Sequence, residues 1–403
     1  MRGTPPLPRQ EGLAGPPAPP GLVRACGGWT RPARMRRVDL TGPLALPGMA
    51  ALSNGFVREI FVYMAELVWR GKALPRPSGV EVVVEGFYGL VDGEVMGAGA
   101  PGDWYNRLLH GERGLALQAL QSEFAGKVDL IYIDPPFMTG RTFKNGAQIL
   151  TGDGISYHDI WNNDLDSYLQ WLYETFYYLY ELLAKDGSLY VHLDWRATHY
   201  ARVILDEVFA GRSRSKGAGL KNEIIWHYQS GGRAQKSFAR KHDTILLYTK
   251  TAEYCFHSER IGQPRGEKKR NHMRKEVGPD GHTIWTIRSA GKLYTYRADS
   301  TMSLDDVWSD ISHLHQKDPE RTGYATQKPV ALLERILLAS TEENDLVLDC
   351  FCGSGVTPVA AERLGRRWLA CDQNKGAIAV TRQRLLQETR RNVFALQSVN
   401  RIE

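Results

Sequence analysis

The chain has 403 residues, 42% of them hydrophobic, with a formal net charge of +6 and a pI near 8.9. That length admits one large α/β domain with a smaller module, and so mild a basic excess means that any polyanion site must arise by local clustering. Five cysteines argue against a disulfide framework and for a reducing, cytoplasmic setting, while the lack of a signal-peptide pattern or of an apolar run near the ~20 residues of a membrane span excludes a membrane partner.

Residues 1–48 hold ten of the twenty prolines, seven arginines and no lysine, which predicts a disordered Pro/Arg-rich extension. Its prolines oppose an amphipathic targeting helix, and an inert extension is preferred to a nucleic-acid arm. Translation starting at Met49 would also account for it. Residues 49–103 are expected to form a helix over 51–70, stopped by Gly71, and then a Gly/Pro-rich linker.

From Asn106 the pattern changes to that of a parallel sheet: NRLLHGE as a strand, LALQALQSEF as a helix, VDLIYID as a strand. The last of these runs into Asp134-Pro135-Pro136-Phe137. Prolines lack an N–H and fix φ, so they force the chain out of the ladder just after an acid. A carboxylate and a phenyl ring on a stiff loop suit a planar ligand bearing an amino group.

Next comes a long helix, DSYLQWLYETFYYLYELLAK, with Leu169, Leu172, Phe176, Leu179 and Leu183 spaced as a core face. Its remaining tyrosines are either ordinary surface residues or a face for a partner subunit. A strand GSLYVHLD follows, with Gly187 as the helix stop before it. Asp194 at its end either lines a pocket or caps the next helix, HYARVILDEVF. Strands NEIIWHY and HDTILLYTK complete this half.

Residues 251–325 break the alternation as a mixed module. VALLERILLAS then returns to helix, and DCFCGSGVTPVAAERLGRRWLACD places Asp349 at a strand end, Gly353 and Gly355 in a tight turn, a helix, and Asp372 at the end of the next strand. Such a unit suits a nucleoside-bearing cofactor, the second acid holding ribose hydroxyls. Pro358 at the sixth fingerprint position counts against NAD, and no P-loop string supports an ATPase. S-adenosylmethionine remains, with one nucleoside and no phosphate. Cys350, Cys352 and Cys371 lack a C-x-x-C pair or a matched His set and read as packing residues, not zinc ligands. A last helix is expected from about Gly376 to Arg390.

With Asp134-Pro135-Pro136-Phe137 ahead of Phe351-Cys352-Gly353-Ser354-Gly355, and Thr326-Gln327-Lys328-Pro329 leading into the helix before the glycine loop, the sequence resembles DNA amino-methyltransferases. These are the N6-adenine/N4-cytosine enzymes in which D-P-P-[YF] precedes F-x-G-x-G, as in modification methylases of restriction-modification systems. The resemblance covers roughly residues 104–390. It implies a Rossmann-like, circularly permuted S-adenosylmethionine-dependent methyltransferase sheet, with LVLDCF its first strand, RRWLACD its second, NRLLHGE its third and VDLIYID its fourth. Residues 104–250 become the catalytic half, 251–325 a target-recognition insert and 326–403 the cofactor-binding half. Three departures stand out: Cys350 where proline is common, Pro358 where a small or aliphatic residue is common, and Glu112 where aspartate is common.

The resemblance assigns catalysis to Asp134, Pro135, Pro136 and Phe137, and S-adenosylmethionine binding to Asp349, Phe351, Gly353, Gly355 and Asp372, with Lys328 at the methionine end and Glu112 toward the adenosyl group. Asp134 and the Pro135 carbonyl would accept the amino hydrogens of a flipped-out base stacked on Phe137. Between Arg260 and Arg297 ten Lys or Arg stand against three acids, interspersed with aromatics, which suits phosphate contact and base readout. Lys268, Lys269, Arg270, Arg274 and Lys275 there, with Arg233 and Lys236 in a basic loop, are the expected contacts to double-stranded DNA. The expected activity is site-specific adenine-N6 methylation. N4-cytosine or RNA amino-methylation and a catalytically silent DNA-binding subunit are the rivals. A homodimer or a cognate restriction subunit would be the further partners.

Overall fold

The computed structural model describes residues 66–91, 94–95, 104–144, 156–159, 164–212, 215, 217–229, 234–265, 272–388 and 393–402. The extension expected over 1–48, and 51–65 of the expected first helix, lie outside the described residues. The remainder of that helix, Glu66–Arg70, is not helical. Trp69 instead docks on the aromatic helix, its Nε1 donating to Gln170 Oε1 at 3.2 Å and its ring meeting Tyr173 edge-on at 5.6 Å.

The principal elements are β1 (Val80–Tyr88), β2 (Asn106–His110), α1 (Arg113–Phe124), β3 (Val128–Ile133), α2 (Leu165–Leu182), β4 (Leu183–Leu193), α3 (Thr198–Arg212), β5 (Gly219–His227) and β6 (His242–Thr249). After them come β7 (Arg274–Val277), β8 (Thr283–Ser289), β9 (Lys292–Arg297), β10 (Val307–Trp308), α4 (Val330–Ser340), β11 (Leu346–Asp349), α5 (Val356–Arg363), β12 (Arg367–Asp372), α6 (Lys375–Glu388) and β13 (Phe394–Arg401). Ten strands form one sheet in the order β1-β13-β2-β12-β11-β3-β4-β6-β5-β10. The run from β13 to β4 is parallel, while β1 pairs antiparallel with β13, β6 with β4 and β5 with β6. Helices cover both faces. Leu115, Leu117, Leu172, Phe176 and Ile204 pack with Ile131, Ile133 and Val191 on one side. Leu333, Ile336, Val359 and Ile378 pack with Leu130, Tyr132 and Val347 on the other. Strands buried on both faces read as continuous apolar runs, which is why VDLIYI and LVLD were conspicuous.

Three elements differ from expectation. The Gly/Pro-rich linker contains edge strand β1, whose run Val82–Val84 is a β-branched signal on a half-exposed edge. β13 follows the last helix and carries β1. Gly187 is no helix stop, because α2 ends at Leu182 and the glycine sits inside β4, where a Cβ would lie 2.9 Å from the carbonyl oxygens of Val128 and Asp129. Leu183, expected on the helix face, is accordingly the first residue of that strand, and the other four core-face residues of α2 are buried.

Within the 251–325 stretch, β7, β8 and β9 form a separate three-stranded antiparallel sheet around buried Trp285. From Val307 the chain rejoins the main sheet: β10 pairs with β5, and Trp226 Nε1 donates to the Ile311 carbonyl at 2.9 Å.

Candidate active site

β3 and β11 are adjacent and parallel, so the loops that leave them emerge at one edge and open on one cavity of about 370 Å³. Asp134, Pro135, Pro136, Phe137 and Lys328 line it together with Asp349, Phe351, Gly353 and Asp372. Sequence reasoning assigned these residues to two separate roles; the sheet brings them together.

Asp134 Oδ2 is ion-paired with Lys328 Nζ. Its other oxygen, Oδ1, is buried and has no hydrogen-bond partner among the described residues. A buried acceptor left unmatched is costly, and this one belongs to a cavity-lining side chain, so a donor on a ligand would satisfy it. Tyr168 of α2 donates its hydroxyl to the Pro136 carbonyl at 2.8 Å, fixing the loop from the core side. Phe137 lies face to face with His192, centroids 6.3 Å apart and planes 20° apart. Met138 closes the turn at φ 62°, a left-handed conformation that costs a non-glycine residue strain.

Behind Phe137 runs a buried polar chain. The Tyr132 hydroxyl is 2.9 Å from His192 Nδ1, His192 Nε2 is 3.1 Å from Asp243 Oδ2, and the Tyr228 hydroxyl donates to Asp243 Oδ1 at 3.0 Å. Burial works against the Asp243 charge, but the bonds from His192 and Tyr228 and the nearby Lys328 hold its carboxyl below the ordinary value. An ionised Asp243 makes His192 Nε2 the donor and leaves Nδ1 to accept from Tyr132. Burial pushes both tyrosine hydroxyls up, so they stay protonated. Tyr132, Trp226, Tyr228 and Asp243 form a cavity wall.

The glycine loop is pinned by its two acids. Asp349 accepts from the Phe351 N–H at 2.9 Å and the Thr357 hydroxyl at 2.5 Å. Asp372 accepts from the Gly353 N–H at 3.0 Å and the Asn374 N–H at 2.8 Å. Burial pushes the Asp349 carboxyl up to about 7 and that of Asp372 up to about 6. Gly355 is required on two counts: its φ is 75°, and a Cβ would lie 2.8 Å from Thr381. These features fit an adenosyl group, since a carboxylate at the second strand end has lone pairs left for ribose hydroxyls and the backbone is stripped of side chains beside it.

Three expected contacts change, the first being Gly355, which is not among the cavity-lining residues and packs against Thr381. Lys328 faces the Asp134 carboxylate. Glu112 is not among the cavity-lining residues: it caps α1, accepting from the Leu115 N–H at 3.0 Å, because the first turn of a helix leaves N–H groups unmatched. Its neighbour Arg113 lines the cavity instead, with its guanidinium 4.8 Å from the Trp171 ring centre. Asp194 accepts from the Arg196 N–H at 2.8 Å in the turn into α3 and is also not among the lining residues. Lys236, Arg274 and Lys275 are exposed, whereas Arg233, Lys268, Lys269 and Arg270 lie outside the described residues. Sequence reasoning passed over Tyr168, His192, Asp243 and Thr357. The signal for His192 was a polar residue at the heart of the apolar run LYVHL.

Residues 128–383 match a family model described as DNA methylase, the N6/N4 type. The chain is 28% identical over 275 residues to the type II methyltransferase M.HpaI of Haemophilus parainfluenzae, spanning 68% of this chain and 73% of that protein. It is likewise 28% identical over 280 residues to the DNA adenine methyltransferase YhdJ of Escherichia coli K12, spanning 69% and 82%. Among solved structures, the cytosine-N4-specific PvuII DNA methyltransferase is 16% identical with a TM-score of 0.46, covering 70% of this chain and 88% of that one.

Proposed function

The chain belongs to the N6/N4 DNA methylase family, whose methyl donor is S-adenosylmethionine, and from that premise we propose that it methylates the exocyclic N6 amino group of adenine at a specific site in double-stranded DNA. The sheet order, with β11 and β12 central and β2 and β3 beside them although they come earlier in the chain, fits a circularly permuted methyltransferase. One observation carries the reading: a buried carboxylate oxygen without a partner among the described residues and a nucleoside-suited glycine loop share a single cavity.

S-adenosylmethionine, when bound, supplies an electrophilic methyl group on a cationic sulfur. Asp372 would hold the ribose hydroxyls, with Gly353 giving the backbone room and Phe351 a flat apolar wall, while Gly355 lets the turn pack on Thr381. Asp134 Oδ1 would accept one amino hydrogen of the target base and the Pro135 carbonyl the other, drawing the nitrogen lone pair out of ring conjugation. Tyr168 already occupies the Pro136 carbonyl, which separates the two prolines' roles. Phe137, backed by His192, offers its other face to the base. The amino proton released on transfer would pass to Asp134 Oδ1, and Lys328 balances the carboxylate charge.

Adenine is preferred to cytosine because an acid heads the catalytic string, where serine more often accompanies N4-cytosine activity in the family the sequence resembles. Mass spectrometry of nucleosides from DNA methylated in vitro tests this. N6-methyladenine is expected, with Asp134→Ala lowering turnover by at least ~10³ while cofactor binding persists. N4-methylcytosine alone would reassign the base, and near-normal turnover in the variant would overturn the role of Asp134.

A further inference from the structure

Phe238 is the most exposed large apolar side chain among the described residues, at 98% of its full surface. It sits between Lys236 and Arg240 in the connection from β5 to β6. Both ends of that connection belong to the cavity wall, since Tyr228 leaves β5 and Asp243 opens β6. Phe238 is five residues from Asp243, which bounds its distance from the wall to about 18 Å of extended chain. The connection also rests on Trp195, just past the end of β4: the Arg240 guanidinium lies 4.1 Å and that of Arg196 4.9 Å from the centre of its half-exposed ring. A bare phenyl ring costs solubility and gains nothing from the protein here, yet Lys236 and Arg240 stand two residues to either side of it, in a connection that begins and ends at the cavity wall.

We propose that this connection is where the duplex docks and that Phe238 is the wedge that enters the base stack as the target base leaves it. The inference rests on the methyltransferase reading and adds the residue that does the flipping. The chemistry is complementary at each point. A flat apolar ring can replace the stacking lost by the neighbouring base pairs, which is what inserted side chains do in kinked duplexes. Lys236 and Arg240 place positive charge where the two backbones flank an opened step, and phosphate contacts fix register without reading sequence. Trp195, with the Arg196 and Arg240 guanidinium groups near its ring, ties the Arg240 end of the connection to the turn after β4. The cost of extruding a base is smaller when the base is already mispaired, so a wedge has a signature that a mere phosphate contact lacks.

The test uses the full chain and a short duplex bearing the site that the unmutated protein methylates in DNA from a methylation-free host. A second duplex carries the same site with the target base mispaired. Phe238→Ala should lose about tenfold or more in kcat/KM on the paired duplex and recover most of it on the mispaired one, with Phe238→Trp close to the unmutated protein. Arg240→Gln should weaken both substrates alike and flatten the salt dependence. Equal effects of Phe238→Ala on the two duplexes, whether none or large, would overturn the wedge while leaving methyl transfer in place. An unmutated protein that methylates no DNA would overturn the function and this inference together.

Discussion

Asp372 gives a pH dependence whose sign is fixed by its surroundings. Burial raises its carboxyl to about 6, although three backbone amide bonds pull the other way. In the proposed role ribose hydroxyls would donate to the ionised form, so cofactor binding would favour that form. Above about pH 6 the affinity should be level, and below it binding must expel a proton, so affinity falls by up to about tenfold per pH unit. Calorimetry of S-adenosylmethionine binding from pH 5 to 8 checks this, with Asp372→Asn expected to be weaker and flat across the range. Lys328 offers a second measurement. Its ion pair with Asp134 joins two side chains that are each mostly buried, so Lys328→Gln strands a carboxylate in the cavity. Turnover should fall by about 10²-fold or more while cofactor affinity changes by less than about threefold. The reverse pattern would return Lys328 to the methionine end of the cofactor.

At the scale of elements, the site depends on how closely β3 and β4 approach at their entry. Gly187 makes that possible, since any Cβ there would meet two backbone carbonyls at 2.9 Å, and backbone cannot give way as a flexible side chain can. Gly187→Ala should therefore cost about 2–4 kcal/mol in urea unfolding followed by circular dichroism. A loss under about 0.5 kcal/mol would mean that the strands shift without penalty. The aromatic helix has a comparable double duty: its leucines bury themselves against β3 and β4, while Tyr168 reaches Pro136. Tyr168→Phe should leave the fold intact and lower turnover, because the hydroxyl that holds the Pro136 carbonyl is removed.

Over the whole molecule, the basic stretch of the insert is less uniform than its composition suggests. Arg260 is committed to Glu342 at 2.8 Å, and Arg297 to Asp280 and Asp299 at 2.6 and 3.0 Å. Arg274, Arg288 and Lys292 stand exposed on the three-stranded sheet. Replacing these three with glutamine should reduce the slope of log affinity against log salt by up to about 3, with cofactor affinity unchanged. An unaltered slope would move the DNA surface off this sheet. Removal of residues 1–48, too poor in large apolar residues to join a core, should leave methylation of DNA unaffected.

The sequence by itself determined the local pieces: which runs are strands, where an acid and two prolines end one of them, and where glycines must stand between Asp349 and Asp372. Backbone stereochemistry and hydrophobic periodicity act over a few residues, so such features are written in short strings. Edge strand β1 escaped because a strand with one neighbour and an exposed face loses the continuous apolar signature, and β13 escaped because Gln397, Ser398 and Asn400 interrupt its apolar run although it is paired on both sides. Only the tertiary structure decided that Asp134 shares its charge with Lys328, 194 positions away, and that His192 bridges Tyr132 to Asp243. The reason is the order of the parallel sheet. It sets β11 between β12 and β3, so residues far apart in the chain are gathered at one edge, and no local pattern records which of them will touch.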